Sequence, residues 1–140
     1  MNIFAKTIEH RQHRYQTCGD YWHGYREHER SMEIRVSAMN PVSELAIIVH
    51  ELVEFFLCQR AGIKEADITA FDIQWEAVKA NGRNEKYDEP GADPRAPYYH
   101  QHAIATKIER IIVRAGGLTW RSHCKTVDSL PYGTEEGKKS

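Results

Sequence analysis

The 140-residue sequence predicts an α+β fold, in which a small N-terminal antiparallel sheet is followed by three helices, the first central and buried. Two patterns support this prediction. Residues 32–38 carry apolar side chains at every second position (Met32, Ile34, Val36 and Ala38), which is the period of a half-buried strand. From residue 41 onward the apolar positions follow helical spacing. The change of period puts the sheet before the helices.

The first 39 residues are expected to form the sheet. Aromatic residues occur on both sides of Gly19-Asp20, at Tyr15 and at Tyr21-Trp22, and a Gly-Asp pair is typical of a turn. We therefore expect a hairpin turn at Gly19-Asp20.

The helices have recognisable ends. Asn40 and Pro41 suit the N-cap and first position of a helix that runs to about Ala61 and stops at Gly62. A second helix is expected over 64–80 and a third over 98–115, separated by a Pro- and Asp-containing loop at 84–96. The core stripe predicted for the third helix consists of Ile104, Ile108, Ile111, Ile112 and Ala115.

The composition indicates one domain, residues 1–131, followed by a flexible polar tail, residues 132–140. A net charge of −1 without a Lys/Arg cluster gives no indication of nucleic-acid binding. Neither a secretory signal nor an apolar run long enough for a membrane span is present, so a cytoplasmic location is expected. The three cysteines lack Cys-x-x-Cys spacing, which argues against a thiolate zinc cluster.

The first helix contains the candidate site. Its residues 45–58 are apolar on every side except at His50, Glu51 and Glu54. Counted from His50, Glu54 lies about 40° and Glu51 about 100° around the helix, so the three side chains share one quadrant. Burial of carboxylates without partners costs several kcal/mol each. A metal cation would compensate them, and arginines (Arg35, Arg95, Arg110 or Arg114) are the alternative.

The segment His50-Glu-Leu-Val-Glu54 resembles the His-Glu-x-x-His helix of the zincin metallopeptidases. The resemblance covers about 30 residues, including the strand that precedes the helix. It implies that His50 is a zinc ligand, that Glu51 is the general base of a metal-activated water, and that Glu54 replaces the second histidine as a ligand.

A catalytic zinc ion needs a third protein ligand. His102 is the first choice, because it follows the bent loop in the first turn of the third helix, at the edge of its apolar stripe. His100 is the alternative ligand. Glu109 is interpreted as a fourth ligand, as a carboxylate that orients His102, or as a surface charge.

Two other functions remain open. One set of acidic residues resembles the carboxylate cluster of the all-α nucleotide pyrophosphatases: Glu51, Glu54, Asp72 and Glu76. This resemblance implies a Mg²⁺-dependent pyrophosphohydrolase. The alternative interpretation of Asp72 and Glu76 is a helix cap and a solvated helix face. The segment 89–102 is similar to small uncharacterised proteins of phages and prophages. This second likeness implies a non-enzymatic accessory protein, in which the buried polar cluster only fixes the fold.

The leading hypothesis is a zinc-dependent hydrolase, peptidase- or amidase-like, acting on a small molecule or peptide that the sequence does not specify. Glu51 is its base, and His50, Glu54 and His102 are its metal ligands. A homo-oligomer is one way to cover a helix that is apolar on all sides.

Overall fold

A computed structural model of the chain describes residues 2–15, 17–26, 29–82 and 86–130, and gives the backbone alone for residues 22–26 and 29–30. Three strands are followed by four helices, which confirms the α+β prediction. The strands are β1 (Asn2–Ile8), β2 (Gly19–Arg26) and β3 (Glu29–Ser37). The helices are α1 (Pro41–Ala61), α2 (Glu65–Ala80), α3 (Tyr99–Ala115) and α4 (Trp120–Asp128). The predicted tail, residues 132–140, lies outside the described residues.

The sheet is mixed, so the antiparallel prediction is wrong for one of its three strands. Its order is β1-β3-β2, with β2 antiparallel to β3 and β1 parallel to β3. Gly19 and Asp20 begin β2 and do not form the predicted turn. Because β2 separates β1 from β3 in the sequence, no tight turn forces these two strands to be antiparallel, and a crossover connection lets them run parallel.

The alternating apolar residues of β3 form the predicted buried face. Met32, Ile34 and Val36 are fully buried, whereas Ala38, the fourth residue of the predicted pattern, follows the strand and is exposed. Met32 and Ile34 pack with Tyr21 of β2 and with Phe55 of α1. The sheet therefore holds α1 on one side, and this contact fixes where the polar residues of α1 lie.

Helix α1 has the predicted ends. The Asn40 side chain accepts a hydrogen bond from the Ser43 N–H at 2.8 Å, and Gly62 adopts a left-handed conformation with φ 73°. The prediction that α1 is buried on all sides is wrong, because Leu45 and Phe56 are more than half exposed. Helix α1 thus has a buried face towards the sheet and α3, and an exposed face that still carries apolar side chains.

Helix α3 is rotated relative to the prediction. Its buried residues are Ala105, Glu109 and Val113, whereas Ile104 and Ile111 of the predicted core stripe are 46% and 65% exposed. The predicted orientation is wrong because the polar side chains of α3 have buried partners on other elements, described below. The pairing of these buried charges therefore contributes more to the free energy of folding than the burial of the isoleucine side chains would.

Helix α4 was not predicted as a helix. Thr119 caps it by accepting the Ser122 N–H at 3.0 Å. Among the described residues, no helix combines the length and apolar character needed to cross a bilayer.

The loop before α3 is held by a buried aspartate. Asp93 accepts hydrogen bonds from Trp75 Nε1 on α2 at 3.2 Å and from the Arg95 N–H at 2.9 Å. The Asp93 side chain is fully buried. These bonds attach the loop to α2 and set the start of α3.

We predict that Asp93→Ala lowers the free energy of unfolding by about 1–3 kcal/mol, because it leaves buried donors without an acceptor. Urea denaturation followed by circular dichroism measures this loss. The matched control is Asp88→Ala at an exposed position of the same segment, which should change stability far less. Equal stabilities of the two variants would contradict the role given to Asp93.

Candidate metal centre

Three of the predicted site residues converge in the structure. His50 and Glu54 lie one turn apart on α1, and His102 faces them from the first turn of α3. His50 Nε2 is 3.0 Å from Glu54 Oε2, His102 Nδ1 is 2.8 Å from the same oxygen, and the two nitrogens are 3.2 Å apart. Within the described part of the chain, these three residues form the one group of histidine, cysteine and acidic side chains arranged to hold a metal ion.

The loop between α2 and α3 places His102. Pro90–Ala92 form a short 3₁₀ turn, and Gly91 packs directly against the imidazole ring of His102. A Cβ atom on Gly91 would lie 2.5 Å from His102 Cγ and Nδ1, closer than real contacts allow. The glycine therefore leaves the space that the His102 ring occupies.

The other nitrogen of each imidazole also faces a carboxylate. His50 Nδ1 lies 2.7 Å from Glu109 Oε1, and His102 Nε2 lies 2.8 Å from Glu89 Oε1. Carboxylate partners of this kind orient metal-binding histidines and fix which nitrogen carries the proton. Glu109 thus contacts His50, whereas the sequence had suggested His102 as its partner.

Two further residues, which sequence analysis missed, extend this network. His123 Nε2 lies 2.6 Å from Glu109 Oε2, and His123 Nδ1 lies 2.8 Å from Ser43 Oγ. His123 and Ser43 are almost completely buried. The available signal was indirect, since Ser43 is a polar residue in the first turn of the motif helix itself, and Glu109 and His123 are polar residues on later helices.

The charges of the centre compensate one another. Burial opposes the charged form of Glu54, but its contacts with His102 and His50 outweigh burial and lower its pKa to about 2. Burial alone would lower the pKa of His102, yet Glu54 and Glu89 raise it to about 10. Burial likewise opposes the charge on His50, but Glu109 and Glu54 raise its pKa well above the usual range. The partners of the buried carboxylates Glu54 and Glu109 in the described chain are therefore histidines and not arginines.

The group has donor atoms that could hold a metal ion. Two imidazole nitrogens 3.2 Å apart face one carboxylate oxygen, and their rings meet in a T-shaped arrangement. A single cation at about 2.0–2.2 Å from all three atoms, the usual zinc distance, would take the place of protons on these two nitrogens. The donor set fits such an ion because two neutral imidazoles and a carboxylate suit zinc.

Glu51 lies next to this group without being part of it. Its side chain is half-buried and reaches the start of β2, where a Cβ atom on Gly19 would lie 3.1 Å from Glu51 Oε1. No other described residue forms a hydrogen bond with its carboxyl group. Burial and the charge of Glu54 raise the pKa of Glu51 well above its usual range. Glu51 is thus a carboxyl group that is available for proton transfer.

The competing candidates do not join the centre. The structure does not bring Glu51, Glu54, Asp72 and Glu76 into one metal-holding group. Asp72 is neither a helix cap nor solvated, since it is buried in the middle of α2 and accepts a hydrogen bond from the Tyr98 hydroxyl at 2.5 Å. Burial raises its pKa to about 7.

The alternative ligand and the alternative compensating charges also lie elsewhere. His100 is exposed and contacts the ring of Tyr99. Arg95 pairs with Asp93, Arg35 with Glu33, and Arg110 lies over the ring of Trp120.

A second pair of histidines lies near the sheet. His10 Nδ1 and His13 Nε2 lie 2.6 and 2.9 Å from the same atom, Ser37 Oγ. His10 is buried and His13 half-buried.

No match was found for this chain among protein-family models, curated proteins or solved structures. The arguments about function therefore depend on the geometry of the centre.

We predict that Gly91→Ala displaces the ring of His102, because the added methyl group would occupy its position. The imidazole signals of His102 in a ¹H–¹⁵N NMR spectrum should shift strongly, while those of the distant His10 and His13 stay unchanged. Unchanged His102 signals would show that the loop does not constrain this ring.

Proposed function

We propose that His50, Glu54 and His102 bind one zinc ion, and that the protein is a zinc-dependent hydrolase of peptidase or amidase type with Glu51 as its base. One observation carries this proposal: three donor atoms from α1 and α3 meet within 2.8–3.2 Å of one another in a buried place. The same residues were predicted from the sequence on independent grounds.

The donor set supports zinc in particular. Two histidines and one glutamate form the ligand set of several zinc hydrolases and leave a fourth position open. Magnesium, in contrast, prefers oxygen ligands alone. When bound, zinc supplies Lewis-acid chemistry, because it lowers the pKa of water and polarises a carbonyl group.

The roles of the protein groups follow from their environments. Glu109 and Glu89 orient the rings of His50 and His102 from behind. Glu51 follows His50 directly and is influenced electrostatically by all three proposed ligands. With a raised pKa and no hydrogen-bond partner among the described residues, the Glu51 carboxyl group can accept a proton from water and pass it to a leaving group.

The proposed metal centre predicts a defined zinc content. Protein purified without chelator should contain one zinc ion per chain, as measured by elemental analysis. His102→Ala should weaken zinc binding more than about 100-fold, since loss of a residue that merely orients a ligand already costs about 10–100-fold. Competition with a chromophoric chelator measures this affinity.

His100→Ala is the matched control, because His100 is an exposed histidine two residues away on the same helix. This variant should bind zinc like the wild type. Failure of the wild-type protein to bind zinc would overturn the metal centre. Iron in place of zinc would keep the centre but overturn the hydrolase assignment, since two histidines and a carboxylate also suit Fe(II).

A substitution of Glu51 separates catalysis from metal binding. Glu51→Gln should keep the full zinc content and lower hydrolysis by about 10²–10⁴-fold, the usual contribution of a general base. The assay uses a panel of peptide, amide and ester substrates, with nucleoside triphosphates and Mg²⁺ as a separate arm. Unchanged hydrolysis in Glu51→Gln would remove Glu51 from the reaction, and cleavage restricted to the triphosphate arm would favour the pyrophosphohydrolase instead.

A further inference from the structure

A line of hydrogen bonds, ending in an ion-pair contact between Glu109 and His50, leads from the N-cap of α1 to the imidazole of His50. We call this line the cap relay, and its members in order are Asn40, Ser43, His123, Glu109 and His50. Ser43 and His123 are 0% and 1% exposed, and Glu109 and His50 are 6% and 5% exposed. Water therefore has little access to these bonds, and the protein groups themselves decide where each proton lies.

Asn40 donates to Ser43 at the start of the cap relay. The carbonyl oxygen of its side chain accepts the Ser43 N–H, so the amide nitrogen is the atom that faces Ser43 Oγ at 3.1 Å. An amide nitrogen only donates. Ser43 Oγ therefore accepts this bond, and its own proton is available for His123 Nδ1 at 2.8 Å.

His123 links Ser43 to Glu109 through its two ring nitrogens. A neutral imidazole carries one proton, and a carboxylate can only accept. Because Glu109 can only accept, the proton of His123 lies on Nε2 and is donated to Glu109 Oε2 at 2.6 Å, and Nδ1 accepts from the Ser43 hydroxyl. The other oxygen of Glu109 lies 2.7 Å from His50 Nδ1 in an ion-pair contact, which places the negative charge of the carboxylate beside this nitrogen.

We propose that His123 is a positioning residue for the metal centre, which acts through Glu109 to keep the His50 proton on Nδ1 and the lone pair on Nε2. This inference rests on the proposed metal site and names a residue that controls it. In the zinc-bound state, this lone pair would be directed at the ion between His50, Glu54 and His102. With the opposite tautomer, Nε2 would carry a proton and could not bind a metal.

The position of His123 agrees with this role. Within α4, every residue of which the structure describes, His123 is the one buried side chain. His123 is thus the side chain that α4 buries, and both nitrogens of its ring belong to the cap relay.

Two substitutions at this position separate the two nitrogens of the ring. Glutamine can place an amide donor where Nε2 of His123 lies, and thus retains the bond to Glu109. Asparagine is shorter, can replace only the Nδ1 atom and loses that bond. We expect His123→Gln to bind zinc like the wild type and His123→Asn to bind it about 10–100-fold more weakly.

The controls address folding and helix position. Ser122→Ala changes an exposed neighbour on α4 and should leave the zinc affinity unchanged. Circular dichroism reports whether each variant is folded. Should His123→Asn fail to fold, Ser43→Ala interrupts the same relay with the loss of one oxygen atom and should also weaken zinc binding.

A second readout does not need a metal ion. The ¹⁵N shifts of the His50 ring in the zinc-free protein, recorded at a pH high enough that the ring carries a single proton, should show this proton on Nδ1 in the wild type and in His123→Gln. This signal should be altered in His123→Asn, whereas a purely structural role would not distinguish the two variants.

The outcomes separate the two proposals. Equal zinc affinities of His123→Gln, His123→Asn and the wild type would overturn the positioning role and leave the metal centre intact. Absence of zinc from the wild type would overturn the metal centre, and the ¹⁵N shifts would then still decide whether His123 holds the His50 proton.

Discussion

The pairing of imidazoles with carboxylates between α1, α3 and α4 is the constraint on which the rest of this structure depends. Buried carboxylates are tolerated only when opposite charges or hydrogen bonds meet them. Glu54 and Glu109 obtain both from histidines, two of which each serve two carboxylate groups. This requirement determines which side of α3 faces inward, and it leaves isoleucines of that helix in contact with solvent.

Local patterns were sufficient to predict much of the fold. The alternation of β3, the N-cap at Asn40 and the left-handed Gly62 depend on near neighbours, and each is found where expected. The direction of β1 and the rotation of α3 depend on residues far apart in the sequence. A helix with isoleucine on one side and Glu109 on the other is normally placed with isoleucine inside, and only the partners of Glu109 reverse this preference.

The candidate centre likewise combines features that local sequence patterns predict with contacts that only the fold brings about. The spacing of His50 and Glu54 on one helix is visible in the sequence, and the position of His102 after a bent loop made it the first choice for a third ligand. Ser43 and His123 lie 80 residues apart and show no shared periodicity, so their contact required the fold. The bond between Glu89 and His102 joins the loop to α3 and likewise required the fold.

The origin of the three donors has a consequence for how the centre assembles. His50 and Glu54 become neighbours as soon as α1 winds, whereas His102 is 48 residues beyond Glu54 and arrives only when the segment containing α2 has closed. Closing such a segment costs conformational entropy that a single turn does not. A partly folded chain therefore has two donors, and complete coordination is a property of the docked tertiary structure alone.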